Sequence, residues 1–287
     1  MIRWLASKLA FWRSDKPAVA VVRLQGVISP ASGGVRRNLN LETIEPQLKK
    51  AFSVSSVKAV ALVINSPGGS PVQSQLIADR VRQLAEKKQV PVMAFCEDAA
   101  ASGGYWLACA ADEIYVSPAS IIGSIGVVSA GFGFPEALAK LGIERRVYTA
   151  GTSKAMLDPF KPENKADIEH LKALQQALHG EFISYVKSRR GARLIEDDEL
   201  LFSGAFWSGT QAKHYGLVDH IGTLHQVMSQ KFGDDVRLMT IASKRKFGGL
   251  GALASQARLL QEGGSVSLGR DFIESGEEKL WWSRLGL

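Results

Sequence analysis

One serine and one lysine in the middle part of the chain have the residue types of a nucleophile and its base. Ser102 lies among alanines and glycines in the motif ASGGY, and Lys154 lies further along the chain. No histidine occurs before His170, so the usual base for a serine nucleophile is missing from this region. A lysine accepts a proton only where apolar surroundings favour its neutral form, and residues 155–157 (AML) offer them. The pattern predicts a serine–lysine dyad in which the fold buries Lys154.

Small residues around Ser102 indicate how the oxygen of a reacting carbonyl would be held. Ser102 comes where a predicted strand and loop give way to a helix, so the Gly103 N–H is free to bind an oxyanion. Gly68 and Gly69 follow another predicted strand and offer a second oxyanion donor or a contact to the substrate strand. Ser124, in the motif GSIG, carries a hydroxyl that would orient the lysine amine. Taken alone, Ser102 also fits a helix N-cap and the two glycines an ordinary turn.

Strand and helix patterns alternate along the chain, which is typical of an α/β fold with a largely parallel sheet. Continuous apolar runs predict strands that are buried on both faces, and Ser70 followed by Pro71 predicts the start of a helix. The predicted strands are 18–24, 57–65, 90–96, 113–116, 125–129 and 144–149. The predicted helices are 71–88, 101–111, 135–141 and 163–190.

The 287 residues divide into three parts by sequence character. Residues 1–17 form a basic amphipathic segment that is too short in apolar sequence to span a bilayer, and it fits a helix that lies on a membrane or packs on a subunit. Residues 18–243 are the predicted domain that carries the serine–lysine dyad. Residues 244–287 form an amphipathic tail that we expect to cap an oligomer, contact a membrane or lie in the substrate groove.

Charge and cysteine content narrow the expected partners. The net charge of +7 comes from scattered basic residues without any nucleic-acid-binding motif, so we do not expect nucleic acid as a partner. Cys96 and Cys109 lie in apolar sequence without metal-ligand spacing and predict buried, reduced thiols. Neither a metal nor a cofactor is expected. These features fit a cytoplasmic protein, with peripheral contact at the inner membrane face as an option.

Together the motifs resemble the signal peptide peptidase A and SohB family of serine–lysine peptidases, which have the Clp protease/crotonase fold. The resemblance covers residues 18–225 and includes the later stretches FWSGTQA and GLVDHIG. It implies a ββα-repeat spiral core, peptide substrates such as signal-peptide remnants or other short hydrophobic segments, and a homo-oligomer in which the lysine can come from a neighbouring subunit. The implied roles are nucleophile (Ser102), general base (Lys154), orienting hydroxyl (Ser124), oxyanion hole (Gly69, Gly103) and substrate contacts (Gly68, Tyr105).

Two other functional classes stay open at this stage. A crotonase-like acyl-CoA enzyme would share the fold and use a carboxylate such as Glu97 or Asp98, but it would leave the serine and lysine without a role. A non-catalytic scaffold would leave the dyad unused. A Clp-type Ser-His-Asp site is not expected, because the five histidines fit surface or capping roles better. They are His170 and His179 on a predicted polar helix, and His214, His220 and His225 in the last third of the chain.

Overall fold

The computed structural model describes residues 16–30, 38–195, 197–242 and 279–287. Nearly all of the predicted segment 1–17 and most of the predicted tail 244–287 lie outside these ranges, so their membrane roles stay predictions. The described residues form a mixed α/β structure, and the α/β class expected from the sequence is confirmed. Within these ranges, no helix combines the length and the apolar character needed to cross a bilayer.

Eight strands of the described chain form one sheet in the order β6-β5-β3-β2-β1-β8, with β4 between β3 and β7. The strands are β1 (Ala18–Gln25), β2 (Val57–Ser66), β3 (Val92–Ala101), β4 (Glu113–Val116), β5 (Ile121–Gly123), β6 (Phe206–Ser208), β7 (His220–Ile221) and β8 (Arg237–Thr240). Apart from the antiparallel pair of β5 and β6, the paired strands are parallel. The first half of β3 pairs with β4 and its second half with β5. The carboxyl ends of β2, β3 and β5 therefore meet at one place.

Helices connect the strands. They are α1 (Leu41–Ala51), α2 (Pro71–Lys88), α3 (Gly103–Ala108), α4 (Pro135–Lys140), α5 (Lys165–Arg190), α6 (Asp198–Leu201), α7 (Gly209–His214) and α8 (Leu224–Phe232). The start of α2 is as predicted, because the Ser70 side chain accepts a hydrogen bond from the Gln73 N–H at 3.4 Å and Pro71 is the first helical residue. The long helix α5 begins two residues later than predicted and ends at Arg190 as predicted.

The central strands are apolar at nearly every position because both faces of the sheet are covered. One face holds the larger core, which includes Leu24, Leu62 and Tyr105. The opposite face holds a smaller cluster that packs against Met228 of α8. A third patch lies beyond it, where Leu285 covers two alanines at the end of β3. The described C-terminal residues thus close the part of the sheet nearest to Ser102.

Both cysteines are free and buried, as predicted. Burial raises the pKa of the Cys109 thiol to about 11. It also raises the pKa of Cys96 far above its ordinary value. Thiols held in the protonated form are poor nucleophiles, so neither cysteine competes with Ser102 as a reactive group.

Three predicted elements differ from the structure. The helix predicted at 101–111 is limited to α3, because β3 continues to Ala101 to pair with β5. The strands predicted at 125–129 and 144–149 do not form. Most of these residues belong to a segment that we call the arm (residues 127–164), in which no residue is buried. Strand backbone needs a hydrogen-bonding partner, and no strand of the described chain pairs with the arm.

Candidate active site

Ser102 lies where β3 ends and α3 begins, with a backbone φ of +51° and ψ of −122°. Its N–H donates to the Gly123 carbonyl at 2.8 Å, which fixes this conformation. A serine before a helix ordinarily caps it, but the Ser102 side chain makes no capping bond. The N-cap interpretation is therefore wrong, and the half-buried hydroxyl is left for another use. A non-glycine residue at positive φ costs about 1–3 kcal/mol, and such residues cluster at functional sites.

Two glycines press against the nucleophile segment. A Cβ added at Gly68 would lie 2.7 Å from the Ser102 Cβ, and Gly68 has a φ of +105°. A Cβ added at Gly69, which has a φ of +140°, would lie 2.0 Å from the Ile28 carbonyl oxygen. Both the space and the backbone conformation therefore require glycine at these two positions. The strand-to-helix turn is a close-packed wall of the site.

Backbone N–H groups of Gly69 and Gly103 lie near each other beside Ser102. A Cβ added at Gly103 would be 3.4 Å from the Gly69 nitrogen, so the two residues are neighbours. Gly103 is the first residue of α3, and its N–H has no acceptor within that helix. In the described part of the chain, no backbone carbonyl accepts a hydrogen bond from the Gly69 N–H. Both groups are available to an oxyanion.

A third segment, the Ser124 turn (residues 123–126), is bonded directly to the nucleophile. Its Gly123 carbonyl accepts the Ser102 N–H, as described above. Ser124 has a φ of +52°, and its own N–H donates to the Ala205 carbonyl at 2.7 Å. The turn is thus held on one side by Ser102 and on the other by the segment that leads into β6.

An open cavity of about 350 Å³ faces Ser102. Ser124 and Gly69 also line it, so the structure brings three of the predicted site residues together. Gly103 lines a small adjoining space with Ser102 and Gly69. The remaining residues around the main cavity are Pro67, Pro71, Gly126, Val127, Val128, His179, Ser203, Gly204, Trp281, Arg284 and Leu285.

Lys154 does not line this cavity. It is exposed in a turn of the arm, and its neighbours Thr152, Ala155 and Met156 line a separate groove of about 910 Å³. The two cavities share no lining residue. The expected burial of Lys154 is therefore not found within one chain, because no residue of the arm is buried. Within one chain, the lysine is not enclosed with the serine.

The arm is anchored beside Lys154 by Asp158. Its carboxylate accepts hydrogen bonds from the Phe160 N–H at 3.1 Å and from Arg145 Nε at 3.0 Å. The bond from Phe160, together with the nearby Arg145 charge, lowers the pKa of Asp158 below its ordinary value. A second carboxylate, that of Asp167 on α5, accepts the Leu157 N–H at 3.2 Å. These contacts fix the local shape of the lysine segment without burying it.

Tyr105 is a core residue and does not contact the cavity. Its side chain is fully buried, and its hydroxyl donates to the Leu217 carbonyl at 2.7 Å. Burial raises the pKa of this hydroxyl well above its ordinary value. The prediction of Tyr105 as a substrate contact is therefore wrong. The first turn of α3 directs this residue under the sheet, away from Ser102.

The sequence analysis missed His179, to which it gave a surface or capping role. His179 is half-buried on α5, lines the Ser102 cavity, and has its ring Nε2 3.0 Å from the Ile125 carbonyl oxygen. Most residues of α5 are exposed, so its sequence is polar and does not reveal which face lines the Ser102 cavity.

The described C-terminal residues also belong to the site. Trp281, Arg284 and Leu285 line the cavity, and Leu285 packs on Ala99 and Ala101 at the end of β3. The sequence predicted a docking tail but left three docking surfaces open. Residues 279–287 favour the groove beside Ser102 over the other two.

The two acidic residues considered for acyl-CoA chemistry have other partners. Glu97 accepts hydrogen bonds from Arg23 at 2.9 and 3.2 Å, and Asp98 accepts one from Asn65 at 2.6 Å. Neither carboxylate lines the Ser102 cavity, which disfavours the crotonase-like alternative. Among the residues that the structure describes, no cluster of histidine, cysteine or carboxylate side chains has the geometry of a metal site.

A serine hydroxyl free of capping bonds, glycine N–H donors beside it and an α/β sheet behind it are typical of serine hydrolases. Sequence comparison defines the family. The profile described as "Peptidase family S49" matches residues 84–234, more than half of the chain. The chain therefore belongs to peptidase family S49, and the resemblance to serine–lysine peptidases is confirmed.

Individual relatives carry different names. The chain is 47% identical over 281 residues to "Na(+)/H(+) antiporter NhaA" of Brucella abortus (strain 2308). The aligned region covers 96% of this chain and 38% of that protein. It is 32% identical over 212 residues to "Protease 4" of Haemophilus influenzae, with 74% and 34% of the two chains covered. The chain thus spans between 34% and 38% of these two longer relatives.

Solved structures also match. The "1510-N membrane-bound stomatin-specific protease", solved as a lysine-to-alanine mutant with a substrate peptide, gives a TM-score of 0.49 at 14% identity. The match covers 84% of this chain and 100% of that chain.

Proposed function

We propose that the chain is a serine endopeptidase that cleaves short apolar peptide segments, with Ser102 as nucleophile and Lys154 as general base. The observation that carries the proposal is the surroundings of Ser102. Its uncapped hydroxyl faces a cavity of about 350 Å³, beside two glycines whose N–H groups are unused. Membership of family S49 supports peptide hydrolysis over other acyl chemistry.

In the proposed reaction, Ser102 Oγ attacks the peptide carbonyl carbon while the neutral Lys154 amine takes the hydroxyl proton. The carbonyl electron pair moves to the oxygen, which the N–H groups of Gly69 and Gly103 stabilise. Collapse breaks the C–N bond, and the protonated lysine returns its proton to the leaving amine. Water then attacks the acyl-enzyme while the lysine accepts its proton, and collapse breaks the ester bond to Ser102, releasing the acid product as the lysine returns the proton to Ser102 Oγ. The Ser124 hydroxyl would orient the lysine amine.

The lysine is proposed to come from a neighbouring copy of the chain in a homo-oligomer. Support comes from the arm, where Lys154 is exposed and large apolar side chains have no cover: Phe132 is 80% exposed, Leu141 71% and Tyr148 90%. Exposed apolar surface of this kind marks interaction sites. A second copy packed against the arm would bury these side chains and supply the apolar surroundings that a neutral lysine requires.

The proposed substrates are peptides with small or aliphatic side chains. Support comes from the cavity wall, which includes Pro67, Val127 and Val128, and from the chain's own Leu285, which is 8% exposed against two alanines. A leucine side chain is thus an accepted occupant of the surface next to Ser102. Signal-peptide remnants and other short hydrophobic segments have this character.

The proposal is tested by digesting a library of defined peptides with purified wild-type protein and with Ser102→Ala. We expect cuts next to small or aliphatic residues with the wild type and none with the variant. Cleavage that persists in Ser102→Ala would contradict the assignment of the nucleophile. Absence of cleavage by the wild type, in a preparation shown to be oligomeric, would favour the scaffold alternative.

A further inference from the structure

His179 is joined to the Ser124 turn by a hydrogen bond across the site. The imidazole Nε2 lies 3.0 Å from the Ile125 carbonyl oxygen. Because a carbonyl oxygen only accepts, the ring donates from Nε2 and carries its proton there. Within the described residues this is the only side-chain hydrogen bond to the turn, whose other hydrogen bonds are made by backbone groups.

The turn that His179 holds has a conformation that needs support. Ser124 is at positive φ, and its carbonyl accepts the Gly126 N–H at 3.0 Å, so the chain reverses tightly between these residues. Backbone of this kind persists only where surrounding contacts hold it. Ile125 lies between Ser124 and Gly126, and its carbonyl oxygen accepts the hydrogen bond from the His179 side chain. This bond connects the turn to another part of the fold.

The helix that carries His179 is itself fixed to the nucleophile's helix. Phe182 of α5 stacks on Trp106 of α3 with ring centroids 4.7 Å apart. Leu178 and Phe182 also line the small space behind Ser102. A closed circuit of contacts therefore runs from Ser102 through the Ser124 turn, His179 and α5 back to α3.

We propose that His179 is a positioning residue for the reaction: its imidazole holds the Ser124 turn, and with it the Ser124 hydroxyl, in register with Ser102. This inference rests on the proposed peptidase function. In this account Lys154 takes the proton from the nucleophile, and His179 serves only to hold the turn. Its effect reaches the reaction through Ser124 and through the Gly123 carbonyl that binds the Ser102 N–H.

The test compares His179→Leu, which removes the donor, with His179→Gln, whose amide nitrogen can replace Nε2 as donor. The matched control is His170→Leu on the exposed part of the same helix. Peptide hydrolysis gives kcat and KM, and thermal unfolding gives Tm. We expect His179→Leu to lower kcat about 10–100-fold with KM changed less than about 3-fold, as for displaced catalytic geometry. His179→Gln should recover most of this loss, and His170→Leu should match the wild type.

Hydrogen exchange at the Gly126 amide provides a readout that does not need activity. His179→Leu should speed exchange there, and His179→Gln should not, while Tm stays close to wild type. Equal kcat for the leucine variant and wild type would overturn the inference, as would an equal loss in the glutamine variant. A wild type without Ser102-dependent cleavage would instead overturn the proposed function, and the inference with it, whereas unchanged exchange at Gly126 would overturn the inference alone.

Discussion

The serine side and the lysine side of the proposed dyad are built in opposite ways. Ser102 lies at the meeting point of three strand ends, between glycines that tolerate no side chain and a turn that is hydrogen-bonded on both flanks. Lys154 lies in an arm of 38 residues (127–164) in which no residue is buried. The surroundings of Ser102 are built within a single chain, whereas Lys154 lacks the apolar surroundings that the proposed base would need.

Under the proposed mechanism, this contrast spares a single chain the cost of burying its own base. Burying an unpaired lysine inside the chain would cost free energy in the fold itself. Placing the lysine on an exposed arm avoids that cost until another surface covers it. In this account the base becomes active only on assembly, so hydrolytic activity should depend on protein concentration wherever the oligomer dissociates.

The largest expected effect is on catalysis, and it should follow from replacing either residue of the proposed dyad. Ser102→Ala and Lys154→Ala should each lower peptide hydrolysis about 10⁴-fold or more, because nucleophile and base act as a unit. Lys154→Ala should leave the Tm of the dissociated chain unchanged, since the side chain is exposed there. Lys140→Ala, another exposed lysine of the arm, is the control and should keep full activity. Full activity in Lys154→Ala would show that Lys154 is not the base, and the comparison of a serine side with a lysine side would no longer hold.

Replacing one carboxylate in the core and one in the arm compares how much each contributes to the stability of the fold. The Asp219 carboxylate accepts a 2.8 Å hydrogen bond from Arg190, whose side chain is buried. Burial alone would raise the pKa of Asp219, but the hydrogen bonds and the charge of Arg190 outweigh this effect and lower the pKa. Removing one partner of a buried ion pair leaves the other uncompensated, so Asp219→Ala should cost about 3–5 kcal/mol in chemical unfolding. Asp158→Ala, on the arm, should leave the unfolding midpoint unchanged. Equal losses would show that arm and core unfold as one unit.

A further test of the serine side concerns the C-terminal residues that line the Ser102 cavity. Leu285→Glu should detach residues 279–287 from the cavity and lower KM for peptides about 3–10-fold, because less of the protein has a covered site. The chemical step is untouched, so kcat should stay the same. Leu280→Glu is the matched control, because Leu280 is 61% exposed and its replacement should change neither constant. An unchanged KM in Leu285→Glu would mean that these residues do not obstruct the cavity.

The smallest expected effect is the pH dependence of the arm. The folded-state pKa of Asp158 lies below its ordinary value of 3.8. Its contacts therefore stabilise the arm fully above that ordinary value, and this contribution is lost as pH falls through the lower folded-state pKa. Protease cleavage within 127–164, measured with an acid-active protease, should rise below about pH 3.8 before the core is cut. Asp158→Asn should abolish the rise, and a rise of the same size in that variant would contradict the assignment.

Much of the fold and the serine side could be predicted from sequence because local chemistry determines them. Ser70 and Pro71 mark the start of α2, and the continuous apolar run of β2 requires cover on both faces. Gly68 and Gly69, which the sequence places near Ser102, pack close to it in the structure, and their positive φ values select glycine.

The failures have physical causes. The arm carries apolar residues that stay exposed and pair with no strand of the described chain, so their pattern predicted strands that do not form. Tyr105 is adjacent to the motif but points into the core, and adjacency in sequence does not give direction. His179 comes 77 positions after Ser102 and reaches it only through helix packing, which no local pattern records. The prediction that Lys154 can be supplied by a neighbouring subunit stays a prediction.

The most direct measurement mixes inactive Ser102→Ala and Lys154→Ala proteins under conditions that allow subunits to exchange. If serine and lysine come from adjoining copies, random assembly restores about a quarter of the wild-type peptide hydrolysis, since half of the copies supply each residue. Each variant alone stays inactive. A mixture as inactive as its two components, with exchange demonstrated, would contradict the shared site.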